Sequence, residues 1–262
     1  AHITPLVEVV RGQATDAQSL SRARALALRL GKLPVLAGNA WGFIGNRMFE
    51  GYLREVDALQ LQGVAAERID RALELFGFAL GPCRTLDMAG TDLVSQVLVE
   101  RARLFEQPPA YRRITRRLAE LGRFGQKTGA GWYDYQAGKR DAIPSAVVVE
   151  MIEKHRAAMG ITPRKISDEE IVQRLVYSLV NEACHILEEG IASKASDIDM
   201  VYITGYGFPF WRGGPMLYAD TVGLFNVAES MKRFAKNPHD DANFWQPAPL
   251  LARLVADGKT FN

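Results

Sequence analysis

The pattern of apolar and polar positions changes character along the chain. Residues 5–10, Pro-Leu-Val-Glu-Val-Val, and 33–37, Leu-Pro-Val-Leu-Ala, are dense in branched apolar side chains and predict two short strands. Between them Leu20, Ala23, Ala27 and Leu30 recur at helical spacing, with Thr15 and Asp16 as candidate caps and Gly31 as the stop. Strand, helix, strand makes one βαβ-like unit, and no other run supplies strands to build a sheet around it. Two strands alone are marginal, so residues 1–38 are expected to be mobile or to pair through exposed edges with something outside.

From Gly42 the period becomes helical. Gly42-Phe-Ile-Gly-Asn-Arg47 is a Gly-rich turn running into a helix whose apolar stripe is Met48, Tyr52, Val56, Leu59 and Leu61, with Gly63 as the stop. Such a turn lets backbone approach a ligand and sets Asn46 at a helix N-terminus; from residue types alone an ordinary loop capping a core helix is the commoner reading. Ala66–Leu73 starts a further helix, and others are predicted at 84–105 and 109–122. The aromatic, Gly-punctuated segment 125–135 reads as a loop packing its rings on the helices, and 136–145 as a linker.

Past the linker the chain repeats itself. Asn46-Arg47 through Gly63 corresponds to Gln173-Arg174 through Gly190, so that Arg54-Glu55 aligns with Asn181-Glu182. Ile69-Asp70 matches Ile198-Asp199, and Gly81-Pro82, Asp87 and Gly90 match Gly214-Pro215, Asp220 and Gly223 with the same spacing. Two copies of one helical domain are expected to pack about a pseudo-two-fold axis, as a homodimer does.

Composition narrows the partners. The 262 residues carry 32 Lys plus Arg against 30 Asp plus Glu, a net charge of +2, which gives no general attraction to nucleic acid or an anionic membrane. The two cysteines, Cys83 and Cys184, have no CxxC spacing and sit among apolar residues, as buried free thiols do in a reducing compartment. His155, His185 and His239 show no metal-ligand spacing. With no apolar run of membrane-spanning length, no signal-peptide layout and no terminal S-K-L, a cytoplasmic location is expected.

Several segments together resemble a known family. Pro5-Leu-Val-Glu-Val-Val, Gly42-Phe-Ile-Gly-Asn-Arg47, Leu80-Gly-Pro-Cys-Arg-Thr-Leu-Asp87 and Gly125-Gln-Lys-Thr-Gly-Ala-Gly-Trp-Tyr133 are similar to the 3-hydroxyacyl-CoA dehydrogenases. The second copy, with Gly205-Tyr-Gly-Phe-Pro-Phe-Trp-Arg-Gly-Gly-Pro and Phe244-Trp-Gln-Pro-Ala-Pro-Leu-Leu251, resembles the multifunctional β-oxidation enzymes, in which an enoyl-CoA hydratase/isomerase part precedes the dehydrogenase. The resemblance implies a mainly α fold: residues 1–38 as the C-terminal remnant of a Rossmann-type NAD domain, then two tandem copies, 39–140 and 141–262, of a helical domain like the C-terminal one of 6-phosphogluconate dehydrogenase. It implies NAD as cofactor and a CoA thioester as substrate. The Gly-rich dinucleotide fingerprint is not among these residues, and the family's catalytic histidine falls before Ala1, so His2 is not that base and the chain is expected to be inactive alone.

By the same resemblance Glu8 is the carboxylate that orients the histidine base; without it, Glu8 reads as a solvated strand glutamate. Asn46 is implied to hydrogen-bond the reacting oxygen of the acyl group, where residue type alone suggests a cap. Gln173 stands at that place in the second copy, which is expected to be non-catalytic and to cover the first. Lys127 is a candidate contact for a CoA phosphate or a solvated loop lysine, Arg112-Arg113-Ile-Thr-Arg116-Arg117 a solvated face, and Trp211-Arg212-Gly213-Gly214 a packed turn. The alternative function is a non-catalytic helical module for association or acyl-CoA binding.

Overall fold

The computed structural model describes residues 3–107, 111–139 and 141–262. His2, the start of the helix expected at 109–122, and Arg140 lie outside the described residues. In chain order the elements are β1 (Leu6–Arg11), α1 (Ala17–Arg29), β2 (Leu33–Gly38), α2 (Gly45–Leu61), α3 (Ala66–Phe76), α4 (Pro82–Ala89), α5 (Thr91–Leu104), α6 (Arg113–Glu120), β3 (Tyr133–Asp134), β4 (Ile143–Pro144), α7 (Ala146–Ala158), α8 (Asp168–Glu188), α9 (Ala195–Gly205), α10 (Pro215–Val222), α11 (Leu224–Phe234) and α12 (Pro249–Asp257). By internal contacts they form two compact units, residues 1–52 with 173–262, and residues 53–172.

In the first unit β1 and β2 pair in parallel, Glu8 opposite Val35, with α1 as the crossover. Asp16 caps α1, its carboxylate accepting the Ser19 N–H at 2.7 Å. The strand pair has a partner within the chain that periodicity did not reveal. α9 packs on both strands, Gly38 donates its N–H to the Ile191 carbonyl at 2.8 Å, and a Cβ on Gly205 would fall 2.4 Å from Leu6 Cδ2. For this reason residues 1–52 form one compact unit with residues 173–262 of the second copy, although the linker lies far along the chain from them. The core of the unit is α8, apolar on nearly every side: Leu175, Val176, Leu179, Val180, Ala183, Cys184 and Ile186 are fully buried. Trp211, expected to pack, is 64% exposed in the turn before α10.

The second unit holds the rest of the α2 stripe, with Val56 and Leu59 fully buried. Each such side chain contributes about 1.5–3 kcal/mol on burial, enough to hold a helix that carries Gly45 and Gly51. The helix expected at 84–105 breaks in two at Gly90, whose φ of 103° no helix contains. Trp132 and Tyr133 are buried as expected, the Trp132 indole donating to Gln60 Oε1 at 3.2 Å. Residues 143–144, read as linker, pair antiparallel with β3. Arg112, read as part of a solvated face, is 1% exposed; it lies 3.9 Å from Asp57 Oδ1 and donates to Thr115 Oγ1. A distant buried carboxylate, invisible to helical periodicity, overrode the solvated reading.

The repeat has a physical cause. Asp70 accepts the N–H groups of Cys83 and Arg84 at the start of α4, and Asp199 accepts those of Met216 and Leu217 at the start of α10. Each Gly-Pro pair enters its helix directly over that aspartate; a Cβ on Gly81 or Gly214 would come 2.3 Å from it. Asp87 takes the N–H groups of Trp132 and Tyr133, and Asp220 those of Phe261 and Asn262. Gly, Pro and Asp therefore recur because each copy caps one helix and latches one returning segment with buried carboxylates.

Candidate active site

The start of α2 is where the predicted residues meet. Ile44 occupies the cap position with a fully buried apolar side chain that cannot accept a hydrogen bond. The acceptor comes from β1: Glu8 takes the Ile44 N–H on Oε2 at 2.9 Å and the Gly45 N–H on Oε1 at 3.2 Å. Burial raises the Glu8 pKa, and these two backbone bonds oppose the rise. Glu8 is thus half-buried and structurally engaged, yet each carboxylate oxygen keeps lone-pair capacity for a further donor such as an imidazole N–H.

Asn46 follows at the second position of α2, exposed, so it is not the cap. Its Oδ1 accepts the Tyr206 hydroxyl at 2.7 Å, leaving the amide NH2 as the end able to donate. On the next residue Arg47 donates to Glu182 at 2.6 Å and forms a forked pair with Glu189 at 2.5 and 2.7 Å, which fixes the helix start against α8. Behind them Tyr202 donates to the Gly45 carbonyl at 3.2 Å. Further along the same helix, an open groove of about 590 Å³ is lined by Gly51, Asn181, Glu182, His185, Phe244 and Gln246. Gln173, the repeat counterpart of Asn46, instead accepts from Arg233 at 3.0 Å.

Glu8 and Asn46, 38 positions apart in sequence, therefore converge on the same helix start. Lys127 belongs to the other unit, half-exposed and held by Asp92 at 2.5 Å, so a phosphate there competes with a carboxylate. Tyr206, Tyr202 and Arg47 were not anticipated. For the two tyrosines the signal was their four-residue spacing at the end of α9, and for Arg47 its place beside Asn46 in the turn motif.

The turn between β1 and α1 is closed to a dinucleotide. There the Asp16 carboxylate accepts the Ser19 N–H and hydroxyl, and these bonds lower its pKa. A negative group already sits on the N–H groups that a Rossmann turn offers to pyrophosphate. These residues do not fit the phosphates of NAD.

Comparison with known proteins places the fold. The sequence model described as 3-hydroxyacyl-CoA dehydrogenase, C-terminal domain, matches twice, over residues 42–135 and 171–261, and that for the NAD binding domain matches residues 1–40. The chain belongs to the 3-hydroxyacyl-CoA dehydrogenase family. Its fold is that of a short remnant of the NAD domain followed by two copies of the helical domain. Over 98% of its length it is 41% identical to a peroxisomal bifunctional enzyme of Danio rerio and 39% identical to one of Homo sapiens, covering 38% and 37% of those proteins. It is 34% identical to a peroxisomal fatty acid beta-oxidation multifunctional protein of Arabidopsis thaliana, over 98% of the chain and 36% of that protein. The chain thus spans well under half the length of these relatives. Among solved structures, the dehydrogenase part of a multifunctional enzyme from C. elegans aligns with a TM-score of 0.71 and 28% identity, over 96% of this chain and 56% of that one. A 3-hydroxybutyryl-CoA dehydrogenase from Escherichia coli shares the fold, with a TM-score of 0.78 at 23% identity, over 97% of this chain and 68% of that one. The relatives' names do not support the cytoplasmic expectation, since they are called peroxisomal. No helix among the described residues is long and apolar enough to cross a membrane.

Proposed function

We propose that this chain forms the acyl-side wall of an NAD-dependent (3S)-3-hydroxyacyl-CoA dehydrogenase site in a longer multifunctional β-oxidation polypeptide. The dinucleotide fingerprint, the histidine base and a hydratase part then come from residues outside 1–262, and the chain alone does not turn substrate over. The observation that carries this reading is the convergence of Glu8 and Asn46 at the start of α2. NAD, bound elsewhere, supplies the hydride acceptor. In this chain Asn46 donates from Nδ2 to the 3-hydroxyl oxygen, whose negative charge grows as its proton passes to the histidine. Glu8 accepts the far N–H of the histidine, fixing its tautomer and stabilising its cation. An acyl-CoA is the substrate; a phosphate at Lys127 would have to displace Asp92.

The cap role of Glu8 and the Lys127–Asp92 pair favour one other reading, a non-catalytic module for association or acyl-CoA binding. Asn46→Ala in the full-length polypeptide separates the two. Reduction of acetoacetyl-CoA by NADH is expected to slow about 100-fold with the melting temperature unchanged; near-normal turnover overturns the catalytic assignment. The isolated chain, given NADH and acetoacetyl-CoA, should show no oxidation, and measurable turnover would refute the division of the site.

A further inference from the structure

We infer that Tyr206, supplied by the second helical copy, is a positioning residue that turns the amide of Asn46 so that its NH2 faces the reacting C3 oxygen of the substrate. The inference rests on the dehydrogenase reading above. An exposed asparagine on a helix samples several rotamers, and its amide presents an acceptor as readily as a donor. A developing negative oxygen needs the donor end.

The Tyr206 hydroxyl lies 2.7 Å from Asn46 Oδ1. Were the amide reversed, its nitrogen would donate to Tyr206, whose own proton then has no acceptor among the described residues; donation from Tyr206 satisfies both groups. The ring that carries this hydroxyl is fixed on three sides. It stacks on Tyr202 with centroids 4.9 Å apart and a tilt of 21°, meets Phe49 at 5.6 Å, and rests on Gly45, where a Cβ would fall 2.3 Å from Cε2. Tyr202 is fully buried and is itself tied to the Gly45 carbonyl. The hydroxyl is therefore held relative to the same helix turn that bears Asn46.

The internal repeat argues that the pair is a device of this site and not a general feature of the domain. α3 and α9 have the same length, and each ends at one cap residue: Gly77 in the first copy, Tyr206 in the second. The counterpart of Asn46 is Gln173, which bonds to Arg233. Each copy thus supplies one half of the contact and lacks the other, and the contact is made once. The second copy, expected to be only a cover, contributes a group to the site.

Tyr206→Phe keeps the ring and removes only the hydroxyl. In the full-length polypeptide, with acetoacetyl-CoA and NADH, Tyr206→Phe, Asn46→Ala and the double variant are to be compared by kcat, KM and thermal melting. The expected result is a kcat about 5- to 10-fold lower for Tyr206→Phe with KM within about twofold and an unchanged melt. The double variant should be no slower than Asn46→Ala alone, because the hydroxyl acts only through the amide. A further 5- to 10-fold loss in the double variant shows a merely structural role and overturns the inference. So does normal turnover of Tyr206→Phe beside a slow Asn46→Ala, which leaves the reading of the site intact. Normal turnover of Asn46→Ala overturns that reading and this inference together.

Discussion

Replacing Glu8 tests the geometry at the start of α2 without any cofactor. Its carboxylate is the acceptor for the Ile44 and Gly45 N–H groups at 2.9 and 3.2 Å, in a turn whose own cap residue, Ile44, has no polar side chain. Hydrogen bonds to a charged group contribute about 1.5–3 kcal/mol each, and less where the group is half-exposed as here. Glu8→Ala strands both donors, one of them on a fully buried residue, and should lower the local opening free energy by roughly 2–3 kcal/mol. Glu8→Gln keeps one acceptor oxygen but turns an NH2 toward the other donor, for roughly 1–1.5 kcal/mol. The assay is amide hydrogen exchange on the 262-residue chain. At about 1.4 kcal/mol per factor of ten, exchange at Ile44 and Gly45 should quicken about 10-fold in Glu8→Gln and about 100-fold in Glu8→Ala. Amides in the middle of α8, such as that of Val180, should stay as they were. Exchange at Ile44 and Gly45 within twofold of wild type in Glu8→Ala would show that the carboxylate does not hold the turn.

Two further expectations come from the repeat. Asp70 accepts the Tyr133 hydroxyl at 2.7 Å in addition to its two backbone donors, whereas among the described residues Asp199 has only the two at α10. Asp70→Ala should therefore destabilise by about 3–4 kcal/mol and Asp199→Ala by about 2–3, read as shifts of the urea midpoint; equal costs, or a larger one for Asp199, would contradict the bonding described. Burial raises Asp70 to about 6 and Asp199 to about 7 from the usual 3.8, against the pull of their backbone donors. Because the folded values lie above the unfolded ones, the stabilisation is complete below about pH 4 and is lost as pH rises through 6 and 7. Stability should thus fall between about pH 4 and 7, by an amount on the order of 1–3 kcal/mol, read as a falling melting temperature that levels off above pH 7. Asp199→Asn should flatten the upper part of that fall, and a variant that keeps the full slope would place the titration elsewhere.

By itself the sequence determined what depends on neighbours along the chain. The α2 stripe of Met48, Tyr52, Val56 and Leu59, the βαβ unit with its Asp16 cap, and the helix stop at Gly63 follow from spacing and from residues that cap or break helices. The recurrence of Ile-Asp, Gly-Pro and Asp was legible too, because a tight approach of helix start to carboxylate admits few residue types. Tertiary structure alone decided which distant groups complete these local pieces. Glu8 caps a helix 36 residues away, Tyr206 reaches Asn46 across 160, and Asp57 draws Arg112 out of the solvated face its helix predicts. A hydrogen bond or buried ion pair is set by distance in space and leaves no period in the sequence. Neither the anchoring of β1 and β2 on α9 nor the contribution of the second copy to the candidate site was therefore readable before the chain was folded.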